Sequence, residues 1–237
     1  MTFPTHGPRV LAEIERQVET HGHGRVPRDL RRRHLLALAT ELFAERGFAA
    51  ASMDELAQRA GVSKPVIYDL FGSKEGLLLA AIETLGIELN EAVRVAVVGR
   101  RDPEELLRAG SLAFFDFVGA RSDAWQMAFG ASRTLTDSSP SAMAKLEEIR
   151  ERQDSLVAAV ILASARKLGG EPDPLELGAI TRALNGVYEG LVDWWAAHPD
   201  VEAERLAEWV VALVLPGLER LAAATAAERG EAPVPGR

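Results

Sequence analysis

The sequence predicts an all-α fold: a small N-terminal three-helix domain joined to a larger C-terminal helical domain. Three observations carry that expectation. Almost every long segment repeats apolar residues at helical spacing, and no stretch alternates with the period of two that a strand requires. Alanine and leucine are abundant, whereas Thr/Ile-rich runs are absent. Glycine, proline and small polar residues fall where the periodic segments begin and end.

The elements follow in order. Residues 9–20 place Val10, Leu11, Ile14 and Val18 on one helical face, and the breaker stretch HGHGRV follows at 21–26. Pro27 stands at a helix start, where its missing N–H costs nothing. The helix it opens buries Leu35, Leu38 and Leu42 with Leu36, Ala39 and Phe43, and ends at Gly47. Ser52 and Glu55 have the spacing of a capping box ahead of a helix of about eight residues carrying Leu56, Ala57 and Ala60. Gly61 stops it, Ser63 caps the next, and Phe71-Gly72 ends that one. Ser73 caps a long helix through roughly Val98, and Asp102-Pro103 opens another through about Gly119. A short apolar helix is predicted over 125–131, a loop at 138–140, and long helices over 141–168, 174–197 and 201–228. The tail 230–237, with two prolines and two glycines, is read as disordered.

Composition narrows the function. The chain has 237 residues, 47% of them hydrophobic and 26% charged, enough for a real core. It has no cysteine, which removes disulfides, thiol catalysis and Cys-ligated metals. No apolar leader core and no run near the ~18 apolar residues of a membrane span is present, so a soluble cytoplasmic protein is expected. No nucleophile elbow, phosphate-cradling glycine loop or metal-ligating helix pair is found, and no enzyme, cofactor or metal site is expected. His21 and His23 lack a third ligand nearby and are read as solvated.

The net charge of −8 is unevenly spread. Residues 27–76 carry eight Lys/Arg against seven Asp/Glu, a net +1, whereas 77–237 carry 16 against 25, a net −9. A mildly cationic segment on an anionic body is the informative quantity for a nucleic-acid partner.

Two short helices joined through Gly61-Val62-Ser63 make a helix-turn-helix. Val62, Ile67 and Phe71 face inward, leaving Ser63, Lys64, Pro65, Val66, Tyr68 and Asp69 outside. Pro65 stiffens the first turn of the second helix. Lys64 can reach a base edge or phosphate, Val66 a thymine methyl, and Tyr68 a phosphate. Ser52 and Ser73 mark helix N-termini that favour phosphates, with Lys74 adding charge there. Arg31 and Arg32, in the basic run just ahead, are read as phosphate contacts.

Residues 36–78 resemble the DNA-binding domain of the TetR family of bacterial transcriptional regulators. The resemblance lies in "LF…RGF", "S-M-D-E-L-A", "A-G-V-S-K" and "Y-x-L-F-x-S-K-E". It covers about a fifth of the chain, and the remaining helices match the family in number, length and order. Two features depart from it: Leu70 replaces the usual aromatic, and the helix at 9–20 is an extension. The resemblance implies a repressor released by a small-molecule effector, with an extension over 1–26, a DNA-binding domain over 27–76, and a ligand-binding and dimerisation domain over 77–229. It also implies a homodimer built on the last two helices, with Leu184, Val187, Leu191, Trp209, Leu213 and Leu218 as interface candidates. Two recognition helices would then meet major grooves about 34–36 Å apart on a palindromic operator. The aromatic concentration of the body suits a hydrophobic ligand, with Phe114, Phe117, Trp125, Phe129, Gln153, Asn185 and Tyr188 as lining candidates. A competing reading is a helical carrier or protein-interaction module with a vestigial helix-turn-helix; it predicts only weak DNA binding that vanishes as salt rises.

Overall fold

The computed structural model of the chain describes residues 7–21, 26–122, 124–125 and 140–228. Among them there are helices and turns and no strand. The helices are α1 (Gly7–His21), α2 (Arg28–Ala50), α3 (Met53–Ala60), α4 (Lys64–Phe71), α5 (Lys74–Val97), α6 (Pro103–Ala120), α7 (Pro140–Lys167), α8 (Pro174–Ala196) and α9 (Ala203–Glu228). Apart from Trp125, the short helix expected at 125–131 lies outside the described residues, as does the tail 230–237. Among the described residues no helix is long and apolar enough to cross a membrane.

The chain divides into two compact units, the described parts of 1–87 with 119–149, and of 88–118 with 150–237. In the first, α1 lies along α2 and buries Ile14, so the N-terminal extension is a docked helix. Leu35, Leu42, Phe43, Leu56, Ile67, Leu77 and Leu78 are among its most deeply buried side chains. Three glycines set the local path by taking positive φ. Gly47 (φ 74°) breaks α2 before its last three residues, Gly61 (φ 63°, ψ 31°) ends α3, and Gly72 (φ 75°) ends α4.

The capping of α3 differs from expectation. Ser52 Oγ accepts from Asp54 N at 3.2 Å, but Glu55 does not return the bond. Its carboxylate instead accepts from Arg59 at 2.6 Å and faces Arg46 at 3.7 Å, because two guanidinium groups outcompete one backbone N–H for a carboxylate. Ser63 holds the N-cap position of α4 without a side-chain cap bond. Ser73 does cap α5, accepting from Gly76 N at 2.9 Å.

In the second unit, Leu107, Phe115, Ile161, Leu206 and Val210 are fully or nearly fully buried. Asp173 and Glu176 form the reciprocal capping box that opens α8. The turn into α9 is closed by Trp195, whose indole N–H donates to the Val201 carbonyl at 2.7 Å. Pro216 lies inside α9, where it cannot donate to the carbonyl four residues earlier.

Candidate nucleic-acid interface

The helix-turn-helix is assembled by short-range chemistry. The N–H groups of Gly61 and Val62 bond the Gln58 and Ala57 carbonyls, closing α3 with a left-handed turn that only glycine enters without strain. Pro65 occupies the first turn of α4, where it gives up no helical hydrogen bond. Arg59 fixes α3 to α2, donating to Glu45 at 2.7 Å and to Glu55 at 2.6 Å. Ile67 is completely buried, which fixes the rotation of α4 about its axis. That rotation leaves Ser63, Pro65, Tyr68 and Asp69 exposed, with Lys64 and Val66 half-buried. Tyr68 is one of the large side chains left in solvent, at 43% exposure.

The cations are not equivalent. Lys64 Nζ lies 2.7 Å from Asp54 Oδ2. Arg28, at the start of α2, pairs with Asp69 of α4 at 3.2 Å. The Arg32 guanidinium stands 5.6 Å from the centre of the Phe71 ring, which brings the arginine run of α2 to the end of α4. Lys74 is already engaged: its ammonium donates to the Ala49 carbonyl at 3.1 Å and stands 4.8 Å from the Phe48 ring centre, with burial lowering its pKa. It therefore serves as a clamp between α5 and the end of α2. Ser52 Oγ accepts the cap bond and keeps its own O–H to donate, whereas the Ser63 hydroxyl makes no cap bond at all. Arg31 is half-buried on α2.

In the second unit, Phe114 and Phe117 are buried, and Phe114 and Phe115 meet Tyr188 at ring-centre distances of 4.6 and 5.8 Å. Burial pushes the Tyr188 phenol up to about 12, against a smaller opposing effect of its bond to Ser111. Asn185 donates to Asp154 at 2.6 Å. Trp125 is half-buried in the first unit, while Phe129 and the Gln153 side chain lie outside the described residues. A cavity of about 20 Å³ between α7, α8 and α9 is lined by Ile161, Ala165, Pro172, Ile180, Leu218 and Ala222 and by none of the expected pocket residues. One group the sequence did not flag is Thr181, whose Oγ1 is buried among the described residues with no hydrogen-bond partner. It lies two helical turns before Tyr188, on the same side of α8.

The interface candidates divide by exposure. Leu184 and Leu218 are covered by their own protomer, 5% and 6% exposed. Val187, Leu191 and Trp209 are half-buried, and Leu213 is 68% exposed. The other exposed large apolar residues of these two helices are Leu175 and Trp194 on α8 and Leu221 on α9. Between them α8 exposes Ala179, Ala183, Gly186 and Gly190, spaced three or four residues apart on one face.

Residues 35–81 match the model of the bacterial regulatory proteins of the tetR family. Over 105 residues the chain is 47% identical to the HTH-type transcriptional activator FasR of Mycolicibacterium smegmatis, a match covering 44% of this chain and 48% of that protein, about half its length. It is 30% identical over 162 residues to the HTH-type transcriptional regulator EthR of the same species, covering 68% of this chain and 72% of that one. A TetR-like transcriptional regulator from Rhodococcus sp. RHA1 shares the fold with a TM-score of 0.61 at 28% identity, over 82% of this chain and 98% of that structure. With this helix-turn-helix, these relatives and this all-helical architecture, the chain belongs to the tetR family of bacterial regulatory proteins and is a DNA-binding transcriptional regulator.

Proposed function

We propose that the protein is a cytoplasmic repressor that grips a palindromic operator as a homodimer and lets go when a hydrophobic small molecule enters its body. The observation that carries the DNA half is the exposed face of α4. Ile67 anchors the helix from below, while Ser63, Lys64, Val66 and Tyr68 present a hydroxyl, an ammonium, a branched methyl pair and a phenol to a groove. Arg31 and Arg32 flank that face as phosphate contacts.

The dimer reading rests on glycines. A Cβ added at Gly178, Gly186, Gly190 or Gly217 would meet nothing within 4 Å in its own protomer. A helix-interior glycine costs roughly 0.5–1 kcal/mol relative to alanine. Packing inside the protomer does not call for them, whereas close approach of a second copy of α8 and α9 does. The effector reading rests on the aromatic group at Tyr188 and the unpartnered Thr181 hydroxyl, an apolar lining with a polar anchor. These side chains pack on one another, so a ligand must displace them. That displacement is the differential interaction a two-state switch requires.

Selection of bound duplexes from a random pool tests the proposal. The chain should enrich an inverted repeat, and Lys64→Ala with Tyr68→Phe should abolish enrichment while the helical signal stays intact. An unchanged affinity in that double variant removes α4 from the interface. Absence of any preferred sequence at physiological salt supports the carrier reading instead. The identity to a named activator favours a second direction of control, in which the same operator lies upstream of the promoter and recruits polymerase. A reporter with the selected operator separates the two: expression rises on deletion of the gene for a repressor and falls for an activator.

A further inference from the structure

Two cations of the three-helix head, Lys64 on α4 and Arg28 on α2, are already held by carboxylates of α3 and α4. Asp54 Oδ2 of α3 lies 2.7 Å from Lys64 Nζ, and Asp69 Oδ2 of α4 lies 3.2 Å from a terminal nitrogen of Arg28. Both pairs stand in solvent: the Asp54 and Asp69 side chains are 75% and 69% exposed. Ion pairs this exposed add little to folding. Asp69 is placed against its own helix as well, because it lies in the last turn of α4, where the helix dipole disfavours negative charge. Stability therefore gives no account of Asp69, whereas Asp54, in the first turn of α3, also favours its own helix dipole, so its pairing with Lys64 has to be separated from that effect by the variants below.

Electrostatics on the DNA side accounts for both carboxylates. Affinity for duplex of arbitrary sequence scales with the number of phosphates that cations neutralise. A cation neutralised from within contributes less, and a phosphate that takes it is left beside the displaced carboxylate. We propose that Asp54 and Asp69 are specificity-determining residues of the interface. They stand in for phosphates on Lys64 and Arg28 in the free protein and so suppress binding to random duplex. They yield the cations only where contacts between α4 and the base edges offset the exchange. The net +1 of residues 27–76 fits a head whose carboxylates hold back its grip on DNA at large. The inference rests on the reading of α4 as the DNA-contacting helix.

The test uses the full-length protein, its selected operator and a random-sequence duplex of equal length, titrated between about 50 and 200 mM salt. Asp54→Asn and Asp69→Asn should each tighten binding to random duplex by about two- to fivefold, the scale of an exposed ion pair. Each should also steepen the dependence of log K on log salt by about 0.9. Operator affinity should rise less, so the ratio of operator to random binding falls. In a Lys64→Met background the effect of Asp54→Asn should disappear. Its persistence there would show general charge removal rather than release of Lys64, and would overturn the proposal. So would unchanged random-duplex affinity and salt slope in both single variants while the wild-type protein binds its operator. A wild-type protein that prefers no duplex at all instead refutes the reading of α4, and the inference with it. Asp69→Asn guards against misfolding, since it removes no charge from a helix N-terminus.

Discussion

The Tyr188 hydroxyl and the Ser111 hydroxyl meet at 2.8 Å, 77 residues apart in sequence. Ser111 has one proton, and it goes to the Leu107 carbonyl at 2.7 Å. Tyr188 is therefore the donor and Ser111 the acceptor. The two truncations should differ. Tyr188→Phe leaves Ser111 bonded to its own helix and should cost about 0.5–1.5 kcal/mol. Ser111→Ala strands a buried phenolic O–H and should cost about 1–3 kcal/mol. The double variant should be more stable than Ser111→Ala alone. Chemical denaturation of the three variants checks the ordering, and equal losses would refute the donor assignment.

His34 makes stability depend on pH. It is buried on α2, and burial lowers its pKa from the ordinary 6.5, with Glu15 of α1 pulling the other way. A depressed folded-state pKa means that the unfolded chain binds the proton more readily. The contribution of His34 is therefore intact above about pH 6.5 and is lost as pH falls through the lower folded value. Glu41 opposes this, because burial first, and then Glu45 and Glu15, raise its pKa. The wild-type melting temperature should thus fall less steeply on acidification than His34 alone dictates. The difference between wild type and His34→Leu across pH 7 to 5 isolates the histidine, and a difference independent of pH would contradict the burial argument.

Gly186 and Leu213 test the homodimer. Gly186→Leu fills space that is open in the protomer and that the proposed second copy would occupy, and Leu213→Glu places a charge at the most exposed large apolar position of α9. Sedimentation should show each variant as a single subunit at concentrations where the parent is paired, with helical content retained. Operator affinity should fall with dimerisation. A parent that sediments as a monomer would remove the dimer from the mechanism.

Gly61 is required by the turn. With φ 63° and ψ 31° it holds the left-handed conformation, which costs a residue with a Cβ roughly 1–2 kcal/mol. Gly61→Ala should lower stability by about that amount and weaken operator binding through displacement of α4. Loss of stability without loss of DNA affinity would show that the turn adjusts without moving the helix.

Much of the architecture could be read from local pattern, because helix ends are written in neighbouring residues. Gly47, Gly61, Gly72, Pro27 and Ser73 act where the sequence puts them. The outward face of α4 was legible for the same reason: Ile67 alone decides its rotation. What failed to show were choices between partners distant in sequence. Ser52 and Glu55 have capping-box spacing, but the arginines that claim Glu55 are placed by packing. Lys64 reads from the sequence as a cation turned to DNA, and only the packing of α3 against α4 brings Asp54 to it. On α8 and α9 apolar residues face both the protomer's own core and the exposed side, so amphipathicity does not separate Leu184 and Leu218 from Leu213. The exposed small residues Ala179, Ala183, Gly186 and Gly190 add nothing to an apolar period, so the helical pattern of large side chains does not mark their face.

The break at Gly47 has a mechanical outcome. It lets the last residues of α2 fold back so that Phe48 meets Phe43 at a ring-centre distance of 5.7 Å and Ala49 offers its carbonyl to Lys74. Arg59 already bolts α3 to α2, so the first turn of α5 grips a block that is braced from within. Within the first unit, moving the first turn of α5 therefore means either breaking the Lys74 bond or carrying α2 and α3 along with it.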